Sequence, residues 1–126
     1  MRDIVLGDRE LDVMGVLWDL ASGTVAEVRE KLDDDLAYTT VLTILRNLEA
    51  KELVSHEAEG KAHRYYPRVA QQTARRTALS RLVNKFFQGS PEQLLAQLVE
   101  DEGLTVADLR RIKKRLAGEP KRGGRR

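Results

Sequence analysis

The chain has 126 residues, two histidines and no cysteine, and its 22 Lys/Arg against 20 Asp/Glu leave a formal net charge of +2. This length suits one domain, or a small domain with an appendage, and is too short for the walls of a large enzyme cleft. The lack of cysteine excludes disulfides and thiolate metal sites. No apolar stretch is long enough to span a bilayer and no basic-then-apolar leader is present, so we expect a cytoplasmic protein.

Charge is distributed unevenly along the chain. Residues 1–37 hold four Lys/Arg against ten Asp/Glu, whereas residues 71–126 hold thirteen against six. Residues 38–70 are nearly balanced, with five against four. Because phosphate binding depends on the local potential, the overall sign of the charge is weak evidence for or against a nucleic-acid partner.

The first two predicted elements are short helices. Asp8 can cap a helix with a mostly apolar face, which Ser22-Gly23 then stops. Thr24, with Glu27 three residues later, predicts a capping box at the start of a second helix. Three consecutive aspartates close that helix, because negative charge is unfavourable at a helix C-terminus.

The stretch from Tyr38 to Lys51 predicts a third helix with two different faces. Apolar side chains recur at i, i+3, i+4 and i+7 and share one side of it, namely Val41, Ile44, Leu45 and Leu48. The opposite side and its flanks carry short polar and basic side chains, namely Thr39, Thr40, Thr43, Arg46 and Asn47. Hydroxyls, an amide and a guanidinium bond phosphates and base edges in a major groove. We interpret the stretch as a DNA-recognition helix; an ordinary amphipathic surface helix is the alternative.

Residues 53–67 predict a β-hairpin. Two stretches that can be extended flank a turn that contains Gly60, and Pro67 ends the second stretch. Three helices followed by a hairpin make a winged helix-turn-helix, so we predict a DNA-binding domain over residues 1–70. The hairpin is the wing, and its Lys61 and Arg64 are expected to reach the sugar-phosphate backbone.

Residues 71–117 predict three amphipathic helices without a sheet, so the fold class is mainly α. Their apolar positions would form a large exposed patch on a monomer, namely Leu79, Leu82, Val83, Phe86, Phe87, Leu94, Leu95, Leu98, Leu109 and Ile112. A second copy is the simplest cover, which predicts a dimerisation domain. The alternative is that these helices fold back on the winged domain. Residues 118–126 have almost no apolar content and are expected to be a disordered basic tail.

No residue set predicts catalysis, a metal or a cofactor. His56 and His63 are seven residues apart across a turn, whereas the metalloprotease motif needs two histidines four apart on a helix. No Gly-rich nucleophile turn surrounds a serine, and no Gly-rich loop could cradle a phosphate. We therefore expect no enzyme activity, no cofactor and no metal.

Four stretches together resemble the penicillinase-repressor family, the BlaI/MecI/CopY type of bacterial transcriptional repressor. They are residues 6–18, 38–48 (Tyr-Thr-Thr-Val-Leu-Thr-Ile-Leu-Arg-Asn-Leu), 53–67 and 86–90, and the resemblance extends over roughly residues 6–117. It implies a winged-helix domain, a helical dimerisation domain and a dimer that blocks transcription from a palindromic operator. It also places Thr39, Thr40 and Thr43 where the recognition helix of the family meets DNA, while Arg46 and Asn47 follow from the helical pattern.

The resemblance also bears on the inducing signal. In β-lactam-responsive members it implies a regulatory protease that cleaves near an Asn-Phe bond, but here the region reads Asn84-Lys85-Phe86-Phe87. Asn and Phe are therefore not adjacent, and both proteolysis and ligand binding remain open as the means of release. Sensing of copper by C-terminal cysteines is excluded, because the chain has none. The alternative function is a winged-helix protein-interaction module without DNA specificity.

Overall fold

The computed structural model describes residues 5–118, and they form six helices and three short strands. In chain order these are α1 (Asp8–Leu20), β1 (Gly23–Thr24), α2 (Val25–Lys31), α3 (Tyr38–Ala50), β2 (Val54–Glu59), β3 (Ala62–Pro67), α4 (Gln71–Phe86), α5 (Pro91–Asp101) and α6 (Val106–Gly118). The prediction of a mainly helical chain with a winged helix-turn-helix is confirmed. No helix within residues 5–118 is long and apolar enough to cross a membrane.

The wing is part of a three-stranded antiparallel sheet in the order β1-β3-β2. Strands β2 and β3 form the predicted hairpin, with His56 opposite Tyr65. The third strand was not predicted: Gly23 and Thr24 pair with Tyr65 and Arg64. A two-residue strand has no alternating pattern to detect, and only the tertiary fold brings it beside β3.

Helices α1–α3 and the sheet enclose one hydrophobic core. Its buried side chains are Val13, Met14, Leu17, Val25, Val28, Val41, Ile44, Leu45, Leu48, Leu53, Val54 and Tyr65. The four predicted inward positions of α3 are among them, so the predicted inner face of this helix is confirmed. Trp18 packs at the edge of the core and its Nε1–H donates to the Val69 carbonyl at 2.9 Å, which ties α1 to the segment that follows the wing.

The helix starts follow the sequence signals with one correction. Thr24 caps α2: its Oγ1 accepts from the Glu27 N–H at 3.2 Å, and the Glu27 carboxylate accepts from the Thr24 N–H at 3.1 Å. Asp8, in contrast, is the first residue of α1 and not its cap. The cap is Gly7, whose N–H donates to the Glu10 carboxylate at 3.0 Å, since the glutamate can reach back over the first turn.

The chain divides into two compact units, one up to Ser80 and the other from Arg81, so the division falls inside α4. In the second unit, Ser90 accepts from the Gln93 N–H at 3.2 Å, as its position before Pro91 predicts. No residue between 81 and 118 is buried. The domain boundary at residue 70 stays a prediction, and the predicted disordered tail lies, apart from its first residue, outside the described residues.

The residue that follows α1, Ala21, has a strained backbone, and this generates a first prediction. Ala21 has φ 72° and ψ −27°, in the left-handed region that costs a non-glycine residue about 1 kcal/mol or more. Ala21→Gly should therefore raise the free energy of unfolding by about 0.5–1 kcal/mol, after allowance for the extra freedom of glycine in the unfolded chain. Urea unfolding followed by Trp18 fluorescence measures this change.

The matched control is Ala78→Gly, at an exposed position in the interior of α4. There glycine should lower the free energy of unfolding by about 1 kcal/mol. A loss of stability at both positions would contradict the left-handed geometry at Ala21.

Candidate nucleic-acid interface

The predicted recognition residues lie on the outer face of α3. Because Val41, Ile44, Leu45 and Leu48 are buried, the helix can present only its opposite face to solvent. All five side chains predicted to meet DNA are exposed there, namely Thr39, Thr40, Thr43, Arg46 and Asn47. The structure therefore brings these five residues together on one surface, which we call the α3 outer face.

One hydroxyl of the α3 outer face, that of Thr43, already donates a hydrogen bond within the helix. Thr43 Oγ1 donates to the Thr39 carbonyl at 2.9 Å, one turn earlier in the same helix. A threonine hydroxyl has one proton and two lone pairs, so Thr43 can still accept a hydrogen bond and can offer its methyl group. Its chemistry therefore suits an amino group or a thymine methyl group, and not a phosphate oxygen.

The first turn of α3 is favourable for a negatively charged partner. It contains no acidic side chain that would neutralise the positive end of the helix dipole. Tyr38, the first residue of α3, is 46% exposed and adds a phenol to this end. Sequence reasoning did not select Tyr38, although its position at the start of the polar face was the available signal.

The two predicted wing residues differ in their surroundings. Lys61 is exposed at the tip of the wing, directly after Gly60, whose φ of 60° makes the turn possible. Arg64 lies in the middle of β3, and its side chain is only 20% exposed. All five of its N–H donors are taken up within the protein, by Glu59, Glu27 and Ser22. A phosphate contact by Arg64 stays a prediction, but it would require breaking these bonds first.

The Arg64 contacts change the titration of their partners. The hydrogen bonds from the guanidinium hold the pKa of Glu27 and the pKa of Glu59 below the ordinary value of 4.5. The same bonds, first those to Glu59 and then those to Glu27, raise the pKa of Arg64. All three groups are therefore charged throughout the neutral range, and the two ion pairs persist there.

The two histidines lie together on the wing, His56 in β2 and His63 in β3. Their rings stack with centroids 4.3 Å apart, and His56 Nδ1 lies 2.7 Å from a carboxylate oxygen of Glu49 on α3. The pair therefore belongs to the packing of β2 and β3 against α3. Within residues 5–118 no group of three or more His, Cys, Asp or Glu side chains is arranged to hold a metal ion.

The second unit presents apolar side chains to solvent. Phe86 is 71% exposed, and Leu82, Leu95 and Ile112 are also exposed. The other residues predicted for dimerisation are also exposed or half-buried, namely Val83, Phe87, Leu94, Leu98 and Leu109 in the second unit and Leu79 near the end of the first. No residue between 81 and 118 is buried, so these helices do not enclose a core of their own.

The sequence comparison decides the family. Residues 6–118 match the family model described as "Penicillinase repressor". The chain belongs to the penicillinase repressor family. The resemblance inferred from the four sequence stretches is therefore confirmed, and its extent agrees with the predicted one to within a residue or so.

Relatives and a solved structure agree with this assignment. The chain is 38% identical to a transcriptional regulator BlaI of Mycobacterium tuberculosis over 107 residues, which cover 82% of this chain and 78% of the relative. It is 24% identical to a penicillinase repressor of Bacillus licheniformis, over 85% of each chain. The solution structure of the DNA-binding domain of the repressor BlaI matches 56% of this chain and 90% of its own, with 31% identity and a TM-score of 0.50.

These findings fix the general function of this penicillinase repressor family member. It is a transcriptional repressor with a winged-helix DNA-binding domain, and the family is not one of enzymes.

The Arg64 ion pairs predict how stability depends on pH. Because the pKa of Glu59 is lower in the folded than in the unfolded chain, its ion pair stabilises the fold above pH 4.5 and this contribution is lost as the pH falls through the lowered value. The difference in free energy of unfolding between the natural chain and Glu59→Gln should therefore be largest near neutral pH and shrink towards pH 3. Urea unfolding across this range measures it.

Glu57→Gln is the control, because it makes the same charge change on the same strand and Glu57 has no ion-pair partner among residues 5–118. A difference for Glu59→Gln that stays constant or grows as the pH falls would rule out the ion pair as its cause.

Proposed function

We propose that this repressor acts in the cytoplasm as a homodimer on a palindromic operator, which it reads with α3 of each copy. The observation that carries the proposal is the geometry of α3. Four buried apolar residues fix the rotation of this helix, and its exposed side is polar, basic and short-chained. Such a surface fits a major groove, where side chains must approach base edges closely.

The side chains of the α3 outer face have distinct roles in this proposal. Arg46 can donate two hydrogen bonds to one guanine, and Asn47 can both donate to and accept from one adenine. Thr43 accepts a hydrogen bond from a base amino group or contacts a thymine methyl group, since its hydroxyl proton is donated to the Thr39 carbonyl. Thr39 and Thr40 lie in the first turn, where hydroxyls and backbone N–H groups suit a phosphate.

The wing contributes affinity more than specificity. Lys61 is exposed at its tip and can place an ammonium group on a backbone phosphate beside the groove. Phosphate contacts of this kind hold the register of a protein on DNA without reading sequence. In this proposal Arg64 makes no phosphate contact of its own, because its donors are bound to carboxylates of the protein.

The second unit supplies the symmetry. A stable soluble unit with no buried residue needs a cover for its apolar face, and a second copy provides a self-complementary one. A twofold dimer presents two recognition helices to half-sites about one helical turn apart, or a multiple of it, so its target is a palindrome. We place Leu82, Phe86 and Leu95 in this dimer contact.

The protein-interaction alternative has weaker support. A helix that binds a protein groove needs large apolar or aromatic anchors on its contact face. On α3 Leu42 is half-buried against the core, and Tyr38 is the one large exposed ring. The α3 outer face therefore lacks the row of anchors that a protein partner would require.

The means of release is a separate part of the proposal. Asn84, Lys85 and Phe86 are exposed in the last turn of α4, where a regulatory protease could reach them. Cleavage there would separate the winged domain from most of the apolar face, so the operator-binding dimer would be lost.

Replacing Arg46 tests the recognition role of α3. The probe is a duplex enriched from a random-sequence pool by the natural chain, beside a scrambled duplex of equal length. Arg46→Ala should weaken binding to the enriched duplex roughly ten- to hundredfold and relax its base preference at one position. Gel shifts at fixed salt measure both effects.

The matched control for Arg46→Ala is Arg110→Ala, an equal charge change at an exposed position of α6. Equal losses in both variants would mean that charge alone, and not the α3 outer face, governs binding. If the natural chain enriches no duplex at low salt although it is dimeric, the protein-interaction alternative holds instead.

Replacing Phe86 tests the dimer. Phe86→Asp puts a charge where an aromatic ring is proposed to be buried, so the dimer dissociation constant should rise roughly tenfold or more. Sedimentation equilibrium measures it, and operator affinity should fall in parallel. Asn84→Asp, an exposed position two residues earlier, is the control and should remain dimeric. A Phe86→Asp chain that dimerises like the natural one would contradict the assigned contact.

A further inference from the structure

The side chain of Arg64 is held by three other residues. Its Nε and Nη2 donate to the two carboxylate oxygens of Glu59 at 2.7 and 2.9 Å. Its Nη1 and Nη2 donate to the two carboxylate oxygens of Glu27 at 3.0 and 3.1 Å, and Nη1 also donates to Ser22 Oγ at 3.2 Å. A guanidinium has five N–H donors, so these five bonds use all of them.

The three partners belong to different parts of the first unit. Glu59 is the last residue of β2 and lies next to the turn of the wing. Glu27 is in the first turn of α2 and forms the capping box with Thr24. Ser22 lies between α1 and β1. The guanidinium therefore joins the wing to the first turn of α2, beside the short pairing of β1 with β3.

The charge of this cluster argues against a direct role on DNA. One guanidinium and two carboxylates, all charged at neutral pH, sum to −1, so an approaching phosphate meets no net positive charge. To bind it, Arg64 would have to exchange charge-assisted hydrogen bonds to carboxylates for similar bonds to a phosphate. Lys61, exposed at the wing tip, can make such a contact without breaking anything shown among the described residues.

We propose that Arg64 is a positioning residue: it fixes the wing against α2, and thereby sets where Lys61 lies relative to the α3 outer face. The inference rests on the proposed function, because it assumes that the wing meets the DNA backbone. Glu59 is two residues before Lys61 along the chain, so anchoring its carboxylate restrains the strand that leads into the turn. The planar guanidinium of Arg64, with its five N–H donors, can bridge two carboxylates and a hydroxyl. The ammonium group of a lysine cannot do so in the same geometry.

The first test compares two replacements on the same strand. If Arg64 were a phosphate donor held back by carboxylates, Glu59→Ala would free it and strengthen binding. If Arg64 is a positioning residue, Glu59→Ala removes one of the carboxylates that hold it. This variant should then bind the enriched duplex about three- to tenfold more weakly than Glu57→Ala. Glu57→Ala makes the same charge change at the residue that pairs with Arg64 across the hairpin, but it removes no hydrogen bond to the guanidinium, and so it controls for the general effect of charge. Tighter or equal binding by Glu59→Ala would overturn the proposal.

The second test uses Arg64→Lys, a conservative replacement that separates the two roles. Lysine is an effective point charge for a phosphate but lacks the planar fork. The positioning role predicts that Arg64→Lys loses about as much affinity as Glu59→Ala. Natural affinity and an unchanged salt dependence in Arg64→Lys would assign Arg64 to the phosphate instead. Thermal unfolding of each variant, followed by circular dichroism, confirms that binding is measured on folded protein.

The third test shows whether the effect passes through the wing tip. In a chain that already carries Lys61→Ala, which should lower the salt slope by about one, Glu59→Ala should cost little more affinity. Fully additive losses would overturn the coupling between Arg64 and Lys61. The proposed function fails separately, and recognisably, if the natural chain and Glu57→Ala both bind enriched and scrambled duplexes equally.

Discussion

The burial of one side of α3 fixes the rotation of this helix, and with it which of its side chains face solvent. Val41, Ile44, Leu45 and Leu48 pack into a core shared with α1, α2 and the sheet, and each contributes on the order of 1.5–3 kcal/mol by leaving water. No other rotation of the helix keeps this burial. The burial that stabilises the folded domain therefore also orients the polar side of α3 towards solvent, and no further interaction is needed to orient it.

Much of this could be read from the sequence because it depends on local periodicity. The spacing of apolar residues gave the inner face of α3, and Thr24 with Glu27 gave the start of α2. What sequence reasoning missed depends on tertiary contacts. The strand Gly23–Thr24 exists only because β3 lies beside it, and the cap of α1 is Gly7 because the Glu10 side chain folds back to it.

In the candidate site, too, features set by the local helical pattern could be predicted, and features set by tertiary contacts could not. Exposure of Thr39, Thr43 and Arg46 follows from the helical pattern, and the structure agrees. The surroundings of Arg64 could not be read from the sequence, because its partners are distant along the chain: Glu27 is 37 residues away and Ser22 is 42. From the sequence, a basic residue on a predicted wing is expected to contact a phosphate. Only the structure shows that carboxylates of the protein surround Arg64.

Contact between the α3 outer face and DNA can be tested residue by residue in solution. The enriched duplex is titrated into the isotopically labelled full chain while backbone amide NMR signals are followed. If α3 enters the major groove and the wing meets the backbone, the largest changes should occur at Thr39, Thr40, Thr43, Arg46 and Asn47, with a second group around Lys61. Changes confined to α5 and α6, with the α3 signals unmoved at saturation, would contradict it.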